Sequence, residues 1–160
     1  MNFVHPQLRR SRMWKIAIPK HAWLALCDGA RGLILRNDGD AANLCLRTVA
    51  AYERSAASTH ELGTDRPGRV TASLGFPRSA VESPDLHDRT EEEFVARFVH
   101  ELDCHVRNDP HGRLIIAAPP RVLGRVRKIL NPELRDRLFA EIPKDLTANT
   151  VAEIQGRLSA

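Results

Sequence analysis

The sequence predicts a single α/β domain built on a mixed five-stranded sheet, and three observations carry that prediction. Two short runs, Ala22-Trp23-Leu24-Ala25-Leu26-Cys27 and Arg113-Leu114-Ile115-Ile116-Ala117-Ala118, are almost continuously apolar, as in central strands covered on both faces. Turn signals at Asp28-Gly29 and Asn37-Asp38-Gly39-Asp40 divide the first third into closely spaced strands. In the second half, segments with helical periodicity and N-terminal capping residues alternate with short strands.

Taken in order, residues 1–12 read as a basic, disordered extension, and Met13 is an alternative start; residues 13–160 form the domain. Ala22 to Cys27 is the first strand. Gly32-Leu33-Ile34-Leu35-Arg36 is the second, and Leu44 to Tyr52 the third, whose Arg47 and Thr48 suit an edge. These three make an antiparallel meander. A polar stretch at about 53–89 follows, with no evident helix or strand; a connection of that length is usually functional or disordered, and here it reads as functional. Thr90-Glu91-Glu92-Glu93 reads as a capping box opening a helix with Phe94, Phe98 and Leu102 on one face, ending near Asn108-Asp109-Pro110. The apolar strand at Arg113 to Ala118 is closed by Pro119-Pro120. The next helix buries Val122, Leu123, Val126, Ile129 and Leu130. Asn131-Pro132 starts a short helix, as N-cap and first helical residue. Leu138 to Ile142 is the fifth strand, and Thr150-Val151-Ala152-Glu153 is a capping box for the last helix.

Right-handed crossovers place the fourth and fifth strands parallel to the first. The order 3-2-1-4-5 that results resembles a ribonuclease-H-like three-layer architecture. Strands one, four and five then end on one edge, where open α/β sheets hold their ligands. Asp28-Gly29, Pro119-Pro120-Arg121 and Lys144-Asp145 fall at those ends.

Composition narrows the partners. The 160 residues carry 24 Lys and Arg against 20 Asp and Glu. Arg9, Arg10 and Arg12 lie in the extension; removing those three from the 24 leaves 21 against 20, so the fold itself has no strong basic excess. Three cysteines, Cys27, Cys45 and Cys104, lack metal-ligand spacing and read as buried free thiols of a reducing compartment. No apolar run has membrane-spanning length, and the N-terminus lacks the apolar core of a secretory signal; Leu24-Ala25-Leu26-Cys27 is a poor lipoprotein site because Leu26 is bulky. The expected location is the cytoplasm.

Several chemistries compete for these residues. A two-metal nuclease or phosphoesterase needs carboxylates around two cations roughly 4 Å apart. Asp28, a glutamate among Glu91 to Glu93, and Asp145 are the available acids, but the central strand offers Pro119-Pro120 where a further ligand is needed. The plainer reading makes Asp28 a turn residue, the glutamates helix-dipole partners and Asp145 a loop acid. His60, Glu61, Asp85 and His87, or His100, Cys104 and His105, match no zinc spacing. Ser79 lacks a Gly-x-Ser-x-Gly turn. Anion binding has more support: Arg66, Arg69, Arg78 and Arg121 offer guanidinium forks for phosphate or carboxylate, and Gly63 and Gly68 permit close backbone approach. The plainer alternative is that Arg66 and Arg69 pair with Asp65 or Asp28 to pin the connection.

Four motifs in order, Trp23 with Asp28-Gly29-Ala30-Arg31, Gly63-Thr64-Asp65-Arg66-Pro67-Gly68-Arg69, Ala118-Pro119-Pro120-Arg121-Val122-Leu123-Gly124 and Lys144-Asp145-Leu146-Thr147, closely resemble the bacterial host attachment protein family from about Ile16 to Leu158. That family is described as required for attachment to host cells, which names a phenotype and no chemistry. It is distantly similar to the middle domain of archaeo-eukaryotic peptide-chain release factors, which uses a Gly-Gly-Gln tripeptide for peptidyl-tRNA hydrolysis. No Gly-Gly-Gln occurs here, so hydrolysis does not carry over.

The expectation is therefore a non-enzymatic binding or regulatory protein, supporting attachment only indirectly. Asp28, Arg31, Thr64, Asp65, Arg66, Arg69, Arg78, Arg121, Lys144 and Asp145 would hold an anionic partner, RNA or a ribosome, with a protein partner as the other option. The residues call for no cofactor, assign no catalytic group or metal ligand, and set no oligomeric state. The divergent metal-dependent hydrolase is the alternative.

Overall fold

A computed structural model describes residues 16–54, 84–110 and 112–159. The strands are β1 (Trp23–Cys27), β2 (Arg31–Asn37), β3 (Leu46–Glu53), β4 (Leu114–Ala117) and β5 (Leu138–Ile142). The helices are α1 (Pro84–Arg107), α2 (Pro120–Ile129), α3 (Pro132–Arg137) and α4 (Val151–Leu158). The sheet order is β3-β2-β1-β4-β5. β1 pairs antiparallel with β2 and β2 with β3, whereas β4 runs parallel to β1 and β5 to β4. The mixed α/β sheet and its strand order are those expected from the sequence.

The apolar runs explain the centre of the sheet. Every residue of β1 and of β4 is buried, and their alternate side chains serve different faces. Ala25, Cys27, Ile34, Leu114 and Ile116 pack with Phe94, Phe98 and Leu102 of α1 and with Val122, Leu123 and Val126 of α2. Leu24, Leu26, Leu35, Ile115 and Ala117 face the other way, onto Leu146 and onto Ile154 and Leu158 of α4. The sheet is thus covered on both sides. Gly32 lets α1 approach β2, because a Cβ there would overlap the Phe98 ring. No helix among the described residues is long and apolar enough to cross a membrane.

Local signals held where the chain alone satisfies them. Asn131 caps α3 by accepting the Leu134 N–H at 2.8 Å, with Pro132 at the first helical position. Both reciprocal bonds of the Thr150–Glu153 capping box are present. Other expectations need correction. α1 begins at Pro84, so 84–89 is helical and Thr90 is not its N-cap. The Thr90 hydroxyl instead donates to the His87 carbonyl at 2.9 Å, the back-bond open to a threonine inside a helix. Ile129 is 42% exposed, because α2 ends there and Leu130, its C-cap, turns inward in its place. Only Cys27 of the three thiols is buried; Cys45 precedes β3 and Cys104 lies on the outer side of α1, and both are exposed.

Candidate functional site

The carboxyl ends of β1, β4 and β5 share one edge of the sheet, and side chains knit their loops together. β1 passes into Asp28, whose Oδ1 accepts the N–H groups of Ala30 at 2.7 Å and Arg31 at 2.6 Å. The Asp28 N–H donates to the Arg31 carbonyl at 3.1 Å, closing the turn into β2. Gly29 supplies the φ of +94° that this turn requires.

The second oxygen of Asp28 reaches across the sheet. Its Oδ2 lies 2.9 Å from the Thr147 hydroxyl, in the loop that follows β5. That hydroxyl also lies 2.7 Å from Oδ1 of Asp145, which accepts the Thr147 N–H at 2.9 Å. A hydroxyl has one proton, so Thr147 donates to one carboxylate at a time. β4 sits between β1 and β5, and the Ala118 N–H donates to the Ile142 carbonyl at 3.1 Å to hold its end in place. The bridge from Asp28 to Thr147 therefore spans the end of the central strand.

The helices close the edge from one side. Arg125 of α2 donates to Glu91 of α1 at 2.7 Å, with side chains only 16% and 19% exposed. It also lies 3.6 Å from Asp88 and 3.8 Å from Glu92. Arg121, one turn earlier and 60% exposed, pairs with Asp88 and lies 3.7 Å from Glu91. Glu91 packs over Gly29, since a Cβ on that glycine would lie 2.6 Å from its Cγ. Arg54, just beyond β3, donates its N–H to the Ala30 carbonyl at 2.7 Å and its guanidinium to Thr90 at 3.3 Å. Burial pushes the Cys27 thiol up to about 12; a bond from the Gly29 backbone lowers it, while Asp28, Glu91 and Asp145 push it further up. Three carboxylates, from the β1–β2 turn, α1 and the loop after β5, thus lie near the end of β1.

Of the residues expected at this edge, Asp28, Asp145 and Arg121 stand there with the partners just described. Arg31 and Lys144 are exposed beside them, at the start of β2 and just past β5. Thr64, Asp65, Arg66, Arg69 and Arg78, with the rest of the Gly63 to Arg69 motif, lie outside the described residues, as do the N-terminal extension, His60, Glu61 and Ser79. Glu91 entered only as one of the glutamates of the hydrolase alternative, and Asp88, Arg125 and Thr147 were in no expected set. The first three carry a readable signal: Asp88, Glu91 and Glu92 at i, i+3, i+4 and Arg121 and Arg125 at i, i+4 each mark one helix face. Among the described residues, no group of three or more His, Cys, Asp or Glu side chains is arranged to hold a metal ion.

A family model described as bacterial archaeo-eukaryotic release factor family 12 matches residues 21–158, which include all nine elements found among the described residues. Among curated proteins none matches the chain. The match bears on the release-factor half of the resemblance seen in the sequence and leaves the host-attachment half without support.

Proposed function

The chain belongs to bacterial archaeo-eukaryotic release factor family 12, and from that premise we propose a non-enzymatic binding protein related to translation, which holds RNA or a ribosomal surface at the carboxyl edge of its parallel strands. The observation that supports this most is the commitment of the edge carboxylates to the protein itself. Asp28 is taken up by two backbone N–H groups and Thr147, and Glu91 by Arg125. Such groups brace loops. A hydrolase would need them turned toward a metal or a water. The missing Gly-Gly-Gln argues the same way.

The braced edge presents Arg31, Lys144 and Arg121 as exposed cations. Thr64, Asp65, Arg66, Arg69 and Arg78 belong to the connection whose first anchored residue, Arg54, sits on the β1–β2 turn of this edge, so that connection begins beside the proposed surface. In this reading the ribonuclease-H-like strand order is a scaffold, the protein works in the cytoplasm, and any attachment phenotype is a downstream effect of the contact.

Co-sedimentation of the full chain with ribosomes, at low and at moderate salt, tests the proposal. Binding should be present at low salt, fall with salt as phosphate contacts do, and weaken in Arg31→Ala/Lys144→Ala and in Arg66→Ala/Arg69→Ala. Absence of binding at both salts, or binding that neither double variant changes, would overturn it.

A further inference from the structure

Away from the Asp28 edge, toward the carboxyl ends of α1 and α2, the helices leave a cleft of about 190 Å³ lined by Ala96, Val99, His100, Asp103, Ile129 and Asn131. Asp103 is the unusual member. Its side chain is 8% exposed, and Oδ2 pairs with Arg107 one turn on. Oδ1 is shut from solvent, and no donor reaches it in hydrogen-bond geometry. The Asn131 side chain, whose Oδ1 is held by the Leu134 N–H as the cap of α3, lies against the carboxyl and favours its charged form without reaching Oδ1 in hydrogen-bond geometry. Burial pushes the Asp103 carboxyl up, and Asn131 and Arg107 more than offset this, so the group stays ionised at neutral pH. A charged oxygen without a donor is costly to cover, and this one lies beneath a cleft.

The cleft has a second property. Beside the acid its wall is apolar, and it includes Ile129, one of the few large apolar side chains among the described residues left exposed. An acid under a short apolar wall suits a cation on an aliphatic stem. With Oδ2 taken by Arg107, one oxygen remains, which favours a point-like ammonium over a guanidinium fork that needs two. The volume corresponds to roughly six waters at about 30 Å³ each, enough for a single short alkylamine.

We propose that this cleft binds a primary alkylammonium group, its head on Asp103 Oδ1 and its stem along Ile129, Val99 and Ala96. His100 moves aside to uncover the oxygen as the amine enters, while Asn131 keeps its cap on α3. The group is supplied by a free alkylamine or by a lysine side chain.

NMR titration of the full chain tests the site, with n-butylammonium as the free amine and Nα-acetyl-lysine-N-methylamide as the lysine. Saturable shifts are expected at the Ile129 and Val99 methyl groups and the Asn131 side-chain amide. Saturation by butylammonium alone assigns a free amine; saturation by both assigns a site open to lysine side chains. n-Butanol, with the same stem and no charge, should leave these signals unsaturated. Asp103→Asn should weaken binding about tenfold or more. Because that change also loosens Arg107, Ala96→Phe supplies a second variant, which fills the cleft and leaves the acid intact. Failure of both amines to saturate these signals into the tens of millimolar, saturation by butanol to the same degree, or binding undiminished in both variants would overturn the proposal.

Discussion

Replacing Asp28 by alanine and, separately, by asparagine distinguishes a bracing carboxylate from a catalytic one. Alanine removes two acceptor contacts to backbone N–H groups, at 2.7 and 2.6 Å, and the 2.9 Å contact to Thr147. Both N–H groups lie near solvent and recover water, so each bond counts near its net value of about 1 kcal/mol, and the loss should be roughly 2–4 kcal/mol. With a urea slope of about 2 kcal/mol/M, the midpoint falls by roughly 1–2 M. Asparagine retains an oxygen for the two N–H groups, at reduced strength because charge assistance is gone. Its amide can donate to the Thr147 oxygen, which releases the single hydroxyl proton to Asp145. The two effects oppose each other, and the net cost should be about 1 kcal/mol or less. Urea denaturation followed by circular dichroism reads both. An asparagine variant as unstable as the alanine one, or an alanine variant costing under about 0.5 kcal/mol, would refute the bracing argument. Metal-dependent nuclease activity lost in a stable asparagine variant would turn the assignment to catalysis.

Gly29→Ala places a Cβ 2.6 Å from Glu91 at a φ of +94°; thermal melts should show a loss of about 1–3 kcal/mol, partly recovered when Glu91 is also shortened to alanine. Thiol labelling of the native protein at pH 8 should modify Cys45 and Cys104 and spare Cys27, which is buried and has its pKa pushed up to about 12; mass mapping that finds Cys27 labelled at a similar rate would contradict the fold around β1. Acid should destabilise the protein through four carboxyls held below their ordinary values: Asp38 by the Arg47 bond, Asp40 by the Asn43 and Ala42 N–H groups, Glu153 by the Thr150 N–H, and Asp103 by Asn131 and Arg107 against the upward push of burial. Their folded pKa values lie below the unfolded ones, so their stabilisation is complete above roughly pH 4–5 and drains away as pH falls through the folded values; a melting temperature that stays level from pH 6 to about pH 3 would count against it.

What the sequence disclosed depended on how far each feature reached. The central strands were legible because burial on both faces leaves an apolar run that needs no partner to recognise. The caps at Asn131 and Thr150 were legible because donor and acceptor lie three residues apart. Thr90-Glu91-Glu92-Glu93 misled because the same letters suit a helix start and a helix interior. The added turn carries Asp88, which meets Arg121 and Arg125 of α2, and no local pattern contains that contact. Asp28 was placed by the glycine that follows it, but its tie to Thr147 joins residues 119 apart and becomes visible only once β1 and β5 flank β4. Ile129 and Leu130 are both large aliphatic residues in adjacent places; the end of the helix, not the side chain, chose which went inside.

The two arginines of α2 divide the work of the edge. Arg125 and Glu91 are both mostly covered, so separating them would strand a charge beneath the helices, at a cost of several kcal/mol for a buried pair. Arg121 and Asp88 are each more than half exposed, and such a pair contributes about 0–1 kcal/mol. Arg125 therefore fixes α1 against α2, whereas Arg121 can exchange Asp88 for another anion at little cost to the fold. Under the proposed role this makes Arg121 the guanidinium of α2 that meets a phosphate, and makes Asp88 its competitor. The same comparison explains why an edge rich in acids can still serve an anionic partner: its bracing acids are spent on Arg125, Thr147 and the backbone, Arg31 and Lys144 stand exposed outside those bonds, and among the described residues Arg121 is tied only to exposed Asp88 and, at 3.7 Å, to Glu91.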